Sequence, residues 1–367
     1  MLPTPAIAFW SHRQSAPAAV ITASHNPWTD NGVKIFAPGG LKLADDVEAA
    51  IEARLASAPA DAGDPSPPRG MLLIDDVVAD YLEHVVEGLP RLGGLHVVLD
   101  CANGAMSGIA PRAFERLGAR IDVINDTPDG SNINHGCGAT APGALCAAVV
   151  ERHADLGLAF DGDGDRVIAV DHLGNVVDGD HLLALAAVQL RDQGRLADDT
   201  VVVTVMSNLG FHRAMASAGV RVVTTPVGDR SVLEALDAGG LSLGGEQSGH
   251  IIYRSLATTG DGLLAGLRLA ADVHDRGRPL AELAAAAMTA YPQVLINVRV
   301  ADAHPRVADE LAADVATAEA SLAGEGRVLL RASGTEPLIR VMVEAPTSEA
   351  AWDAAEGLAD VVRRRFG

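Results

Sequence analysis

Aromatic side chains are scarce in this chain: Phe, Trp and Tyr together make up 3% of it, while 48% is hydrophobic. Any buried core must therefore be built from Ala, Val, Leu and Ile. That composition suits aliphatic strands enclosed by helices, as in α/β folds. Basic residues are also few, 28 against 48 acidic ones, leaving a formal net charge of −20. The deficit argues against nucleic acid as a partner, because binding it depends on a basic footprint. It argues equally against an anionic membrane surface. A small anionic substrate remains admissible wherever cations gather in one cleft.

Cysteine is nearly absent. Cys101, Cys137 and Cys146 form no Cys-X-X-Cys pair, and any disulfide scheme leaves one over. They read as reduced thiols, packed as small hydrophobes in a cytoplasmic protein. No apolar run approaches the roughly 20 residues of a membrane helix. Met1-Leu2-Pro3-Thr4-Pro5 carries no basic n-region of a secretory signal. The arginines Arg363-Arg364-Arg365 suit the end of a helix, where cations are favoured.

What is present is a strand–helix alternation. An apolar, proline-punctuated opening leads to a strand ending at Ile21, then a helix over 46–56. Residues 57–70 are rich in Pro, Gly, Ala and Asp and read as a linker. A helix over 74–88, a strand at 96–101, a helix ending near Leu117 and a strand at 120–124 follow. Next come a helix over 143–153, a strand at 156–161, and a hairpin of 167–170 with 175–177 about His172-Leu173-Gly174. A helix at 181–191, a strand at 200–206, a helix to Ala218 and a strand at 221–227 repeat the scheme. Asn103-Gly104 to Gly118-Ala119-Arg120 and Asn208-Leu209-Gly210 to Gly219-Val220-Arg221 echo one another, at intervals of 17 and 13 residues. Related α/β units with right-handed crossovers are expected, not a repeat array. The end of the chain differs: strand 293–300, helix 306–323, paired strands 327–332 and 338–344, helix 348–365, a small α+β domain. The expected domains are 1–69, 70–172, 173–290 and 291–367, the first a partial unit.

Four loops carry chemistry. Ala23-Ser24-His25-Asn26-Pro27 closes an apolar strand with a hydroxyl. A free serine is a poor nucleophile and needs a base or metal, for which His25 and Lys34 are nearby candidates. No Gly-X-Ser-X-Gly elbow surrounds Ser24, which disfavours an esterase triad. A helix or turn cap is the plain alternative for Ser24 and Asn26. In Asp161-Gly162-Asp163-Gly164-Asp165-Arg166, glycines let three carboxylates converge, a hard oxygen set suited to Mg²⁺. An EF-hand fails, since the sixth position is Arg166 and the twelfth His172. A solvated Asp-Gly turn is the alternative, but the loop follows an apolar strand end, where α/β folds bind ligands. Gly245-Glu246-Gln247-Ser248-Gly249-His250 offers a carboxylate and a hydroxyl for sugar hydroxyls, while His250 equally suits a bond to backbone. Thr258-Thr259-Gly260-Asp261-Gly262, immediately before a helix, equally suits a plain N-cap. In Arg331-Ala332-Ser333-Gly334-Thr335-Glu336-Pro337, hydroxyls and backbone N–H groups beside Arg331 and Arg340 make a phosphate cradle.

With these four loops the chain resembles the α-D-phosphohexomutase superfamily, and within it the phosphoglucosamine mutases, over essentially its whole length. Gln247 points to that branch, as do Asp30-Asn31-Gly32-Val33-Lys34-Ile35-Phe36, Val227-Gly228-Asp229-Arg230 and Asn132-Ile133-Asn134 through Gly138. The resemblance implies tandem three-layer α/β domains followed by a small α+β domain. It implies that Ser24 is the phosphorylated nucleophile, with His25, Lys34 and Arg166 beside it. Ser24, Asp161, Asp163 and Asp165 would hold one Mg²⁺; Glu246, Ser248 and His250 the sugar; Arg331, Ser333, Gly334, Thr335 and Arg340 its phosphate. The implied reaction interconverts glucosamine 6-phosphate and glucosamine 1-phosphate through the 1,6-bisphosphate, feeding UDP-N-acetylglucosamine and peptidoglycan synthesis. A glucose or mannose phosphate mutase of the same mechanism, a phosphosugar-binding remnant and a metal-dependent phosphatase are the alternatives. A homo-oligomer is compatible with the residues and required by none of them. Two departures stand out. The family's opening Gly-Thr-Asp-Gly-X-Arg-Gly segment has no counterpart, which leads to the expectation of a fragment or a misplaced start. The run Gly136-Cys137-Gly138-Ala139-Thr140-Ala141 replaces Gly-Cys-Gly-Ser-Thr-His.

Overall fold

A computed structural model describes residues 1–57, 76–302, 304–333 and 336–367. Most of the expected linker, the start of the 74–88 helix, and both Gly334 and Thr335 lie outside the described residues. The chain forms two compact units, Met1–Met206 with Gly219–Ala287, and Ser207–Ala218 with Met288–Gly367.

The first unit opens with a helix where sequence suggested only a proline-broken segment: α1 (Thr4–Gln14) has Pro5 in its first turn. Proline is tolerated there because the first helical N–H groups have no intrahelical acceptor. β1 (Ala18–Ile21), β2 (Val33–Ala37) and β3 (Leu41–Lys42) form an antiparallel sheet, and α2 (Asp45–Ala56) follows. Ser24 lies in the β1–β2 connection.

A second sheet is built from α3 (Asp76–Val86), β4 (His96–Asp100), α4 (Ala110–Leu117), β5 (Arg120–Ile124), α5 (Gly143–Glu151), β6 (Leu156–Phe160), β7 (Val167–Asp171) and β8 (Val176–Val177). Its strand order is β5-β4-β6-β7-β8, parallel in its first three strands and antiparallel thereafter. Every residue of β4, β6 and β7 is buried, which accounts for the apolar stretches 97–99, 156–160 and 167–170 within them. The domain boundary expected at 172/173 cuts the β7–β8 hairpin; pairing of Ala169 with Val177 keeps β8 in this sheet.

The third segment runs α6 (Gly179–Asp192), β9 (Thr200–Thr204), α7 (Leu209–Ser217), β10 (Arg221–Thr225), α8 (Asp229–Gly239), β11 (Leu243–Gly245), β12 (Ile251–Tyr253), α9 (Gly262–Arg276) and α10 (Leu280–Ala287). Its sheet order is β10-β9-β11-β12. Helix α7 belongs to the second unit, where buried Glu344 accepts its Leu209 N–H at 2.9 Å.

That unit continues with β13 (Gln293–Arg299), α11 (Val307–Glu310), α12 (Ala312–Ser321), β14 (Arg327–Ala332), β15 (Leu338–Glu344) and α13 (Ser348–Phe366). The sheet order is β13-β15-β14, all antiparallel, over a core that includes Val307, Leu311, Ile339, Val341 and Leu358. The single helix expected over 306–323 is broken at Leu311 (φ −114°, ψ 21°), whose side chain is buried in this core.

Among the described residues no helix is long and apolar enough to cross a membrane.

Candidate active site

The serine loop departs from β1 with its backbone tightly bent. Thr22 N donates to Gly32 O at 2.9 Å, and Ser24 N donates to Thr22 Oγ1 at 2.9 Å. Ser24 itself sits at φ 53°, a left-handed conformation that non-glycine residues hold only when neighbours fix it. One such neighbour is Asn134, whose amide donates to Ser24 O at 2.9 Å and to Asn26 O at 3.0 Å. The fit is close: a Cβ on Gly162 would lie 2.6 Å from Ser24 O and 2.7 Å from Asn134 Nδ2. Only glycine lets the serine loop and the acidic loop approach this far.

The acidic loop joins β6 to β7. Asp161, Asp163 and Asp165 are all buried, and each offers an oxygen within 4.8 Å of the others. Ser24 Oγ donates to Asp161 Oδ2 at 2.9 Å, and Arg166 N donates to Asp161 Oδ1 at 3.1 Å. Lys34, on β2, bridges Asp163 Oδ2 (2.6 Å) and Asp165 Oδ2 (2.9 Å). Burial alone would lower the Lys34 pKa, but Asp165 and Asp163 outweigh it and hold the ammonium well above its usual range. Burial, then Asp165 and Asp163, pushes the Asp161 carboxyl well above the carboxylate range. Asp165 goes the opposite way: burial opposes its charge, yet His250 and Lys34 stabilise it. Oδ1 of Asp163 and of Asp165 is buried without a hydrogen-bond partner. Three closely spaced carboxylates with two oxygens not engaged in hydrogen bonds are a fitting hard-ligand set for a divalent cation.

His25 Nδ1 lies 3.4 Å from Ser24 Oγ. Burial, then the Arg166 guanidinium, lowers its pKa, so the ring is neutral at neutral pH. Glu246 Oε1 accepts Gly228 N at 3.1 Å, and Ser248 is exposed on the same loop. His250 lies between the two loops. Its ring is buried, Nε2 accepts the Gly260 N–H at 3.1 Å, and Nδ1 faces Asp165 Oδ1 at 3.6 Å. A ring set between the Gly260 N–H and the Asp165 carboxylate links the 245–250 loop and the acidic loop.

On the second unit, Arg331 and Arg340 are direct cross-strand partners on β14 and β15. Like charges placed opposite one another are unfavourable without an anion between them. Burial and the neighbouring Arg340 lower the Arg331 pKa, and Arg340 Nε is buried without a hydrogen-bond partner. Ser333 follows β14, its N–H donating to Leu338 O at 2.8 Å.

Two contributors escaped residue-by-residue reading. Asn134 stood out only within a motif, and Thr4 not at all, although its hydroxyl donates to Asp163 Oδ2 at 2.6 Å. Proline on both sides of Thr4 was the available signal for a helix start.

Comparison with known proteins finds a succession of related domains along the chain. Models of phosphoglucomutase/phosphomannomutase domains match in succession: alpha/beta/alpha domain I at residues 1–61, domain II at 79–174, domain III at 178–291, and the C-terminal domain at 295–361. The phosphoglucosamine mutase of Frankia alni is 54% identical over 371 residues, covering 98% of this chain and 80% of that protein. That of Thermobifida fusca is 55% identical over 368 residues, covering 99% and 81%. Among solved structures, a phosphoglucomutase/phosphomannomutase family protein from Burkholderia thailandensis superposes with TM-score 0.79 at 23% identity, covering 99% of this chain and 81% of that one. An N-acetylphosphoglucosamine mutase from Aspergillus fumigatus, in complex with GlcNAc-6P and magnesium, does so with TM-score 0.75 at 21% identity, covering 99% and 93%. At such identities the superpositions speak for the fold, while the sequence matches speak for descent. The chain belongs to the phosphoglucomutase/phosphomannomutase family.

Proposed function

We propose that this chain is a phosphoglucosamine mutase, which interconverts D-glucosamine 6-phosphate and D-glucosamine 1-phosphate through phospho-Ser24. The observation that carries the reading is the 2.9 Å contact between Ser24 Oγ and Asp161 inside a buried three-carboxylate loop. The Oγ–P bond of phospho-Ser24 breaks as the free sugar hydroxyl attacks, giving glucosamine 1,6-bisphosphate. The hydroxyl's proton ends on Ser24 Oγ, and His25, at 3.4 Å from that oxygen, is placed to relay it. The reverse transfer, from the other position of the bisphosphate, regenerates phospho-Ser24. One Mg²⁺ per chain, held by Ser24's phosphate, Asp161, Asp163 and Asp165, would offset charge on the transferring group.

Lys34 and Arg166 act as fixed cations, since Lys34 is held by two carboxylates and cannot readily give up its proton. Glu246 and Ser248 take the sugar hydroxyls, and His250 orients Asp165. Arg331, Ser333, Gly334, Thr335 and Arg340 bind the phosphate that is not being transferred; the cross-strand pairing of Arg331 with Arg340, whose buried Nε has no hydrogen-bond partner among the described residues, supports this.

The test is direct. Phosphorylated protein with Mg²⁺ is given glucosamine 6-phosphate, and the 1-phosphate is followed alongside glucose and mannose 6-phosphates as competing substrates. Glucosamine should be turned over fastest, and Ser24→Ala should abolish turnover. Undiminished turnover in that variant would overturn the nucleophile assignment, and release of free phosphate in step with substrate loss would indicate a phosphatase instead.

A further inference from the structure

We propose that Thr4 is a positioning residue for the divalent cation, its hydroxyl fixing the Asp163 carboxylate so that one oxygen is presented to the metal. This rests on the metal-assisted reading above and concerns how its metal site is held. The two oxygens of Asp163 have unlike surroundings. Oδ2 accepts the Thr4 hydroxyl at 2.6 Å and the Lys34 ammonium at 2.6 Å. Oδ1 is buried and has no hydrogen-bond partner. A bare buried carboxylate oxygen costs desolvation energy that only a ligand or a donor can offset. Asp165 is asymmetric as well, but less so: Oδ2 is on Lys34 at 2.9 Å, while Oδ1 makes no hydrogen bond and faces His250 Nδ1 at 3.6 Å and Arg166 Nε at 3.8 Å.

Thr4 holds more than the side chain. Its N–H donates to the Asp163 carbonyl at 2.9 Å, so one residue pins both the backbone and the carboxylate of Asp163. The carboxylate torsion of an aspartate is otherwise broad. Lys34 restrains it too, but as a point charge on a long stem that is shared with Asp165. Thr4 is stiffer: it is fully buried, β-branched, and set at the start of α1 between Pro3 and Pro5. The end of α1 abuts the loop closely, since a Cβ on Gly164 would lie 3.1 Å from Pro3 Cβ. A group that orients a metal ligand without touching the metal typically changes affinity by about 10- to 100-fold when removed.

Thr4→Val keeps the shape and deletes the hydroxyl, while Thr4→Ser keeps the hydroxyl. Binding of Mn²⁺ to the dephosphorylated chain is read from the spin-resonance signal of the free ion, with melting in chelator as the check on folding. We expect Thr4→Val to weaken Mn²⁺ binding by about 10-fold or more, and Thr4→Ser to bind as the unaltered chain does. The Mg²⁺ concentration for half-maximal velocity should rise in Thr4→Val with little change in kcat at saturating metal. If Thr4→Val does not fold, Thr4→Ala is read in the same way. Unchanged Mn²⁺ affinity without the hydroxyl, or an equal loss in Thr4→Ser, would overturn the assignment while leaving the metal site standing. No Mn²⁺ binding by the unaltered chain would overturn the metal site itself.

Discussion

Ser24 is held in a conformation it would not choose alone, and the side chain that holds it comes from 110 residues away. A left-handed non-glycine residue stores roughly 1–3 kcal/mol. The Asn134 amide, donating to the carbonyls of both Ser24 and Asn26, opposes its relaxation. Asn134 is itself left-handed at φ 58°, so Asn134→Gly removes the amide without adding strain, and Asn134→Asp removes the donor with the shape kept. Both should lower kcat by about 10-fold or more, since small displacements of a reacting group carry large rate costs. Steady-state kinetics check this, and full kcat in Asn134→Gly would remove the clamp from the mechanism. Lys34 offers a second prediction. With its ammonium gone, the buried carboxylates of Asp163 and Asp165 lose their counter-charge. Lys34→Met should destabilise the metal-free chain by about 3 kcal/mol or more, measured by urea unfolding in chelator.

Helix α9 begins on a carboxylate that serves two purposes. Asp261 Oδ1 accepts the Leu264 N–H at 2.9 Å, and both its oxygens lie 3.0 Å from the Tyr81 hydroxyl. Burial pushes the Asp261 carboxyl up to about 6. The unfolded chain protonates such a group near 3.9. Between those values the folded state holds a proton that the unfolded state has lost. The group's contribution to stability is therefore full below about pH 4 and is lost as pH rises through about 6. The loss is on the order of 3 kcal/mol. Asp261→Asn keeps an acceptor for the cap and cannot ionise. It should flatten the fall in unfolding free energy between pH 4.5 and 7.5, and at pH 7.5 be at least as stable as the parent. An unaltered slope would count against the assignment.

At the scale of the whole molecule, 48 acidic residues face 28 basic ones. A net charge so far from zero works against the compact state by self-repulsion. Added salt shortens the reach of that repulsion, from about 30 Å at 0.01 M to about 10 Å at 0.1 M. The melting temperature should accordingly rise between 10 and 100 mM NaCl, in scanning calorimetry with chelator present. A fall would mean that attractive pairs such as Arg230 with Glu48 (2.7 Å) outweigh the general repulsion. Against that acidic background each unit gathers cations of its own: Lys34 and Arg166 beside the three-carboxylate loop, Arg331 and Arg340 across one strand pair.

The sequence by itself determined the aliphatic strands, the α/β alternation, the closing α+β domain and the loops where chemistry gathers. Each of these is written in neighbouring residues: unbroken runs such as Leu156–Phe160, or the glycines that let Asp161, Asp163 and Asp165 converge. Local spacing also revealed the Arg331–Arg340 pair, because a short hairpin sets its register. Tertiary structure alone decided which residues meet across the chain. Thr4 reaches Asp163, Asn134 reaches Ser24, and the His250 ring turns inward to Asp165. The break at Leu311 and the capture of α7 by Glu344 belong to the same class. Helical and strand periods report only which face of an element is apolar. The partners of a buried polar atom are fixed by packing between distant segments, where each such atom must find its complement.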